Sequence, residues 1–188
     1  MAEAHSQYRS EDGITLIEIR LNSIQQLFNS FDPSPFHEKD LDDEAEAYIT
    51  EAAREFPLTT PLKLVLYLPQ REMAAAQNAR VEAAIHHYFG YRLWLEQATL
   101  RRELSYGRTA FGIGLAFLFV CIALRELVLS AGDATVHQIV AEGLLISGWV
   151  AMWRPIQVFL YDWWPIRRNC RLYGKLARLP VELRPRGD

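Results

Sequence analysis

Residues 32–48, DPSPFHEKDLDDEAEAY, place one histidine and seven carboxylates within seventeen positions. His37, Glu38 and Asp40 are of the types that ligate a divalent cation. Their spacing fits no EF-hand loop, which needs alternating oxygen ligands and a glycine at a fixed place. No HExxH helix and no cysteine pair accompanies them. The second chemistry open to this stretch is helix capping. Asp40 and Asp42 are both N-cap types. Asp43, Glu44 and Glu46 would then crowd the first turns, where the helix dipole favours each acid by about 0.3–1 kcal/mol. Pro33 and Pro35 would end the short helix SIQQLFNSF and stiffen the turn. Tyr48, Ile49, Ala52 and Phe56 would supply the apolar face. A protein-docking loop is the third use.

Other reactive side chains are scattered. His86 and His87 are adjacent, so on a helix they point about 100° apart and cannot share one metal. His137 stands alone. No nucleophile elbow, phosphate loop or dinucleotide fingerprint is present, and the GIG at 112–114 follows no strand. The expectation is therefore no catalytic residue, no metal and no cofactor.

The strongest patterns are two apolar runs. Residues 109–124, TAFGIGLAFLFVCIAL, hold no charge and would make roughly 24 Å of helix. That is short of a hydrocarbon core of about 30 Å, and extension through RELVL closes the gap. The second run is IVAEGLLISGWVAMW, residues 139–153. The short segment SAGDATVHQ between them forces an antiparallel hairpin with spans near 108–129 and 138–158. With the turn centred near Asp133, Arg125 and Glu142 fall at equal depth. Charges inside a bilayer cost about 2.5–3.5 kcal/mol unless paired or snorkelling, so an Arg125–Glu142 ion pair is expected near the outer interface. The alternative for Glu142 is an ion path. Small residues four apart, Gly112 with Ala116 and Gly143 with Ser147 and Ala151, mark expected packing faces.

Arginines flank both runs on their outer sides: Arg101, Arg102 and Arg108 before the first, and Arg154, Arg167, Arg168 and Arg171 after the second. The hairpin loop is nearly free of positive charge, which puts both termini in the cytoplasm. Trp153, Tyr161, Trp163 and Trp164 read as an inner aromatic belt. Pro155 and Pro165 would bend the chain out of the span to lie along the interface. Arginines beside tryptophans favour anionic lipid headgroups over nucleic acid.

The elements that position these groups fall into four segments. Residues 1–69 form a small cytoplasmic α/β head, and 70–107 a connecting helix that Gly90 would kink. Residues 108–160 form the hairpin, and 161–188 a basic interfacial tail. In the head, ITLIEIRL and LKLVLYLP alternate as half-buried strands. The forty or so residues between them imply a parallel βαβ crossover. Two strands are too few for a stable sheet, so strands of a second subunit are expected to complete it. Residues 1–66 carry thirteen acids and five bases, whereas 151–188 carry three acids and eight bases. This asymmetry suggests head–tail contact or a tail on anionic lipid. Cys121 and Cys170 are poorly placed for a disulfide. The polar N-terminus has no apolar signal core.

LFNSFDPSPFHEKDLDDEAEAYI (27–49) and GWVAMWRPIQVFLYDWWPIRR (148–168) together resemble a recurring family of small two-span bacterial membrane proteins. The resemblance extends over most of the chain. It implies a bacterial inner-membrane setting. No activity is attached to that family, so it carries no catalytic residue onto this sequence. The expected fold is an α+β membrane protein, with a βαβ head, a long connecting helix, a transmembrane hairpin and a C-terminal interfacial helix. The expected role is a non-enzymatic scaffold or accessory subunit, homo-oligomeric or part of a larger complex. The alternative is a homo-oligomeric channel or transporter component with Glu142 and Arg125 near its pore.

Overall fold

The computed structural model describes residues 8–33, 39–132 and 135–186. The chain divides into a head, residues 1–95 with 169–188, and a second unit, residues 96–168.

The head begins with β1 (Ser10–Glu11) and β2 (Ile14–Arg20), paired antiparallel. Asp12 and Gly13 between them both take positive φ, 52° and 78°. This is the two-residue turn that Asp-Gly supports, because it matches the twist of the strands. The chain then passes through a 3-10 turn (Ile24–Leu27) and α1 (Asp43–Arg54) to β3 (Leu62–Leu68). β3 lies parallel to β2, with Thr15 opposite Leu62 and Arg20 opposite Tyr67. The crossover is therefore the expected βαβ unit.

The sheet does not stop at two strands. β4 (Val181–Pro185) pairs parallel with β3, giving the order β1-β2-β3-β4 within one chain. The expectation that a second subunit supplies the missing strands is corrected. β1 and β4 are short, and β4 lies between Pro180 and its own last residue, Pro185. Prolines are tolerated there because β4 is an edge strand.

Ile17 on β2 and Leu64, Leu66 and Leu68 on β3 are fully buried on one face. They pack with Ile49, Ala52 and Ala53 of α1, with Ile85 and Phe89, and with Leu172 and Leu176. Each of the large side chains among them contributes about 1.5–3 kcal/mol on burial. Two segment boundaries change as a result. The stretch expected to be a plain connector is broken at Arg80 (φ 49°) into α2 (Gln70–Asn78) and α3 (Val81–Ser130). The first turns of α3 are head core, and Gly90 does not interrupt the helix. Likewise, residues 169–188 are not a free interfacial tail: they supply the end of α5 (Trp163–Leu176) and β4.

In the second unit the rest of α3 runs antiparallel to α4 (Thr135–Gln157). Both helices are long and apolar enough to cross a membrane. Packing occurs where glycines admit a neighbour. A Cβ on Gly148 would lie 2.7 Å from Leu118 Cδ1 and 3.3 Å from Cys121 Cβ. One on Gly114 would lie 3.0 Å from the Ala151 carbonyl oxygen. One on Gly107 would lie 2.6 Å from Val158 Cγ1. Of the expected packing residues, Ala151 is at this seam. Gly112 and Gly143 have open space around them, and Ala116 and Ser147 are exposed. The helix is not interrupted between the two prolines. α4 continues through Pro155 into a π-helical segment (Val158–Asp162) and then α5. Proline removes a backbone donor and crowds the preceding turn. A π turn is a known local adjustment that lets a helix pass such a site.

Candidate functional site

Strand alternation sends the remaining side chains of the sheet to its second face. β2 contributes Leu16, Glu18 and Arg20. β3 contributes Lys63, Val65 and Tyr67, and β4 contributes Glu182 and Arg184. Arg184 grips Glu11 of β1 through two bonds, Nη1–Oε1 at 2.8 Å and Nη2–Oε2 at 2.6 Å. It also donates from Nε to Glu182 Oε1 at 2.7 Å, and Lys63 Nζ donates to Glu182 Oε2 at 3.0 Å. The two outer strands are thus clasped by charge across the face, and Val65 is fully buried. The hydrogen bond from Arg184 holds the Glu11 carboxyl below its usual range. Bonds from Arg184 and Lys63 bring Glu182 down to about 2. The Arg184 guanidinium is held more firmly protonated by the same partners.

Beside this clasp lies a depression of ≈ 720 Å³, lined by Tyr8, Arg9, Leu16, Glu18, Arg20, Tyr48, Tyr67 and Arg186. Leu16, 1% exposed, forms its apolar lining. Glu18 is already engaged: Tyr67 donates to its carboxylate at 2.8 Å, Arg9 at 3.4 Å, and Tyr48 to its backbone oxygen at 3.2 Å. Burial and a hydrogen bond to Glu55 raise Tyr8 to about 12. Arg186 bonds to Asn22 Oδ1 at 3.2 Å. Arg20 makes no hydrogen bond or ion pair among the described residues.

A second polar cluster sits where α1, α3 and α5 meet in the head. Glu46 receives Arg92 Nη2 at 2.9 Å, the Tyr88 hydroxyl in a short bond, and the Tyr173 hydroxyl at 3.4 Å. The Arg92 guanidinium lies 5.5 Å from the Tyr173 ring centroid. Burial first, then the bond to Glu46, pushes the Tyr88 hydroxyl well above its ordinary value. His86 contacts the Leu179 carbonyl oxygen through Nε2 at 2.7 Å, and Lys175 donates to the Thr60 carbonyl at 2.6 Å. These contacts fasten the C-terminal segment to the head and do not resemble ligand sites.

Within the acidic stretch the capped helix is present as expected. Asp42 accepts from Glu44 N at 3.0 Å, and Asp43, Glu44 and Glu46 occupy the first turn of α1. Asp40 is used by the loop, its N–H donating to Asp32 Oδ2 at 2.8 Å. His37 and Glu38 lie outside the described residues. No three His, Cys, Asp or Glu side chains among the described residues are grouped to hold a metal ion.

In the hairpin the expected Arg125–Glu142 pair is replaced. Arg125 Nη1 bonds to its neighbour Glu126 at 2.6 Å, while its Nε is buried without a hydrogen-bond partner. Shared depth did not bring Arg125 and Glu142 together, because Glu126 is one residue away and Glu142 is exposed on α4. Among the expected interfacial residues, Arg154 bonds to Asp162 at 2.8 Å, and the Arg167 guanidinium lies 5.3 Å from the Trp163 ring. Trp153 and Trp164 are exposed. Arg168 and Arg171 are exposed on α5, Arg171 within the head. Of the clasp and depression residues only Tyr48 was singled out from the sequence, as part of the apolar face of α1; it is instead half exposed with its hydroxyl on Glu18. Their signal is the second register of the strands: Glu18 with Arg20 and Glu182 with Arg184, two apart, and Lys63 with Tyr67, four apart.

Comparison of the chain with family models, with curated proteins and with solved structures returned no match.

Proposed function

We propose that this is a non-enzymatic, two-span protein of the bacterial inner membrane, with both termini in the cytoplasm. It acts as a scaffold or accessory subunit, as a homo-oligomer or within a larger complex. One observation carries the reading. The two apolar windows, of mean hydropathy 2.2 and 1.2, are only 11% and 22% buried within the chain. A hairpin packed along one seam leaves most of its apolar surface needing lipid or further helices. The outward Gly112–Ala116 and Gly143–Ser147 faces suit close approach by such helices. The exposed Arg101, Arg102, Arg108, Arg167 and Arg168 suit anionic headgroups on the positive-inside face. The four strands of the sheet all come from one chain, so strands of a second subunit are not part of the case for oligomerisation.

Native mass spectrometry of the nanodisc-held protein tests this. The expected result is a discrete multiple of the protomer mass, or a mass including another protein. A strictly monomeric particle that retains nothing from its membrane would overturn it.

A second reading, a channel or transporter component, is favoured by Glu142. It is an exposed acid within the apolar run of α4, with no hydrogen bond or ion pair among the described residues, and intramembrane ionisable groups often mark ion paths. That reading requires conductance in liposomes and its loss in Glu142→Gln.

A further inference from the structure

We infer that the depression on the second face of the head sheet binds a small phosphate ester carrying a planar ring, of mononucleotide size. Its ≈ 720 Å³ lies within the range of small-molecule sites. Its charge is unbalanced. Arg9, Arg20 and Arg186 stand against one acid, Glu18, whose carboxylate already accepts from Tyr67 and Arg9. Among the described residues the Arg20 side chain has no partner, and the Arg186 guanidinium has only a side-chain amide. Arg9 is paired with Glu18 and Glu11, but Arg20 and Arg186 meet no carboxylate among the described residues; such guanidiniums are what a phosphate satisfies, because their planar forks donate in pairs to its oxygens.

The local excess of positive charge is notable because the N-terminal 66 residues as a whole are acidic. It is therefore a property of this site. The remaining lining specifies more than an inorganic anion. The hydroxyls of Tyr8, Tyr48 and Tyr67 are all taken, by Glu55, the Glu18 backbone and the Glu18 carboxylate. What these tyrosines have left to offer a ligand is their rings. Together with Leu16 in the lining, they suit a flat, partly apolar group beside the phosphate.

This inference does not rest on the oligomeric reading, and a monomer would bind as well. It is tested by calorimetry on the full chain in zwitterionic nanodiscs, with AMP, inorganic phosphate and glycerol 3-phosphate as probes. AMP is expected to bind at least about tenfold more tightly than either other probe, and to weaken as salt rises. Arg20→Ala and Arg186→Ala should each weaken AMP about tenfold or more, whereas Arg54→Ala on the exposed side of α1 should not change it. Thermal melts of each variant separate lost binding from lost folding. Equal binding of glycerol 3-phosphate and AMP would overturn the ring and point to a lipid headgroup as the source. No AMP binding, or binding unchanged in the folded Arg20→Ala/Arg186→Ala double variant, would overturn the site.

Discussion

Glu46 illustrates how much one side chain can do beyond its local role. As a first-turn acid it favours α1, and that use is legible from its position three residues after Asp43. Its larger role is to accept from Arg92, Tyr88 and Tyr173, partners far away in sequence that no local pattern reveals. Glu46→Gln keeps the shape but removes the charge that pairs Arg92. The expected loss is about 1–3 kcal/mol of head stability, measured by denaturant unfolding; an unchanged midpoint would show the cluster to be incidental. Glu182 gives a pH dependence with a definite sign. Its folded pKa, about 2, lies below its ordinary 4.5, and Glu11 is shifted the same way. The folded state therefore binds the proton less well than the unfolded one. The stabilisation is complete above about 4.5 and is lost as pH falls toward about 2. A Glu11→Gln/Glu182→Gln variant should lose less stability between pH 5 and 2.5 than the parent. An identical acid profile would remove the clasp from the account.

At the scale of elements, depth was readable and facing was not. A turn near Asp133 correctly predicts that residues near Gly148 meet those near Leu118. Which small residues form the seam was not decided by spacing, because both faces of each helix carry them. The seam is formed by Gly107, Gly114 and Gly148 instead of Gly112 and Gly143. Gly148→Val should therefore destabilise the hairpin by about 1–3 kcal/mol through overpacking against Leu118 and Cys121. Gly143→Val, with open space around it, should have little effect on the protomer's own unfolding in micelles. Equal effects would mean the seam is misplaced. β2, β3 and α1 were legible because seven-residue alternation and an Asp cap are strong local signals. β4 was not, because a five-residue edge strand ending in proline shows its pattern only once β3 is beside it.

For the molecule as a whole, the head is made from both sides of the hairpin in sequence, residues 1–95 and 169–188. The composition hinted at this, since an acidic N-terminal segment and a basic C-terminal one invite contact. It could not distinguish that contact from a tail lying on lipid. Deleting β4 should strip β3 of one neighbour and abolish cooperative unfolding of the head, which circular dichroism would detect. A deletion variant that melts like the parent would restore the free tail. The central claim, that the polypeptide crosses a membrane twice and returns to complete its own head, is tested most directly by single-cysteine labelling. In a chain with Cys121→Ala and Cys170→Ser, Thr59→Cys in the head and Ala131→Cys in the hairpin loop are probed separately in intact spheroplasts with a membrane-impermeant maleimide. The account predicts labelling at position 131 without lysis and at position 59 only after lysis. Labelling of both positions from the same side, or recovery of the chain in the soluble fraction, would contradict it.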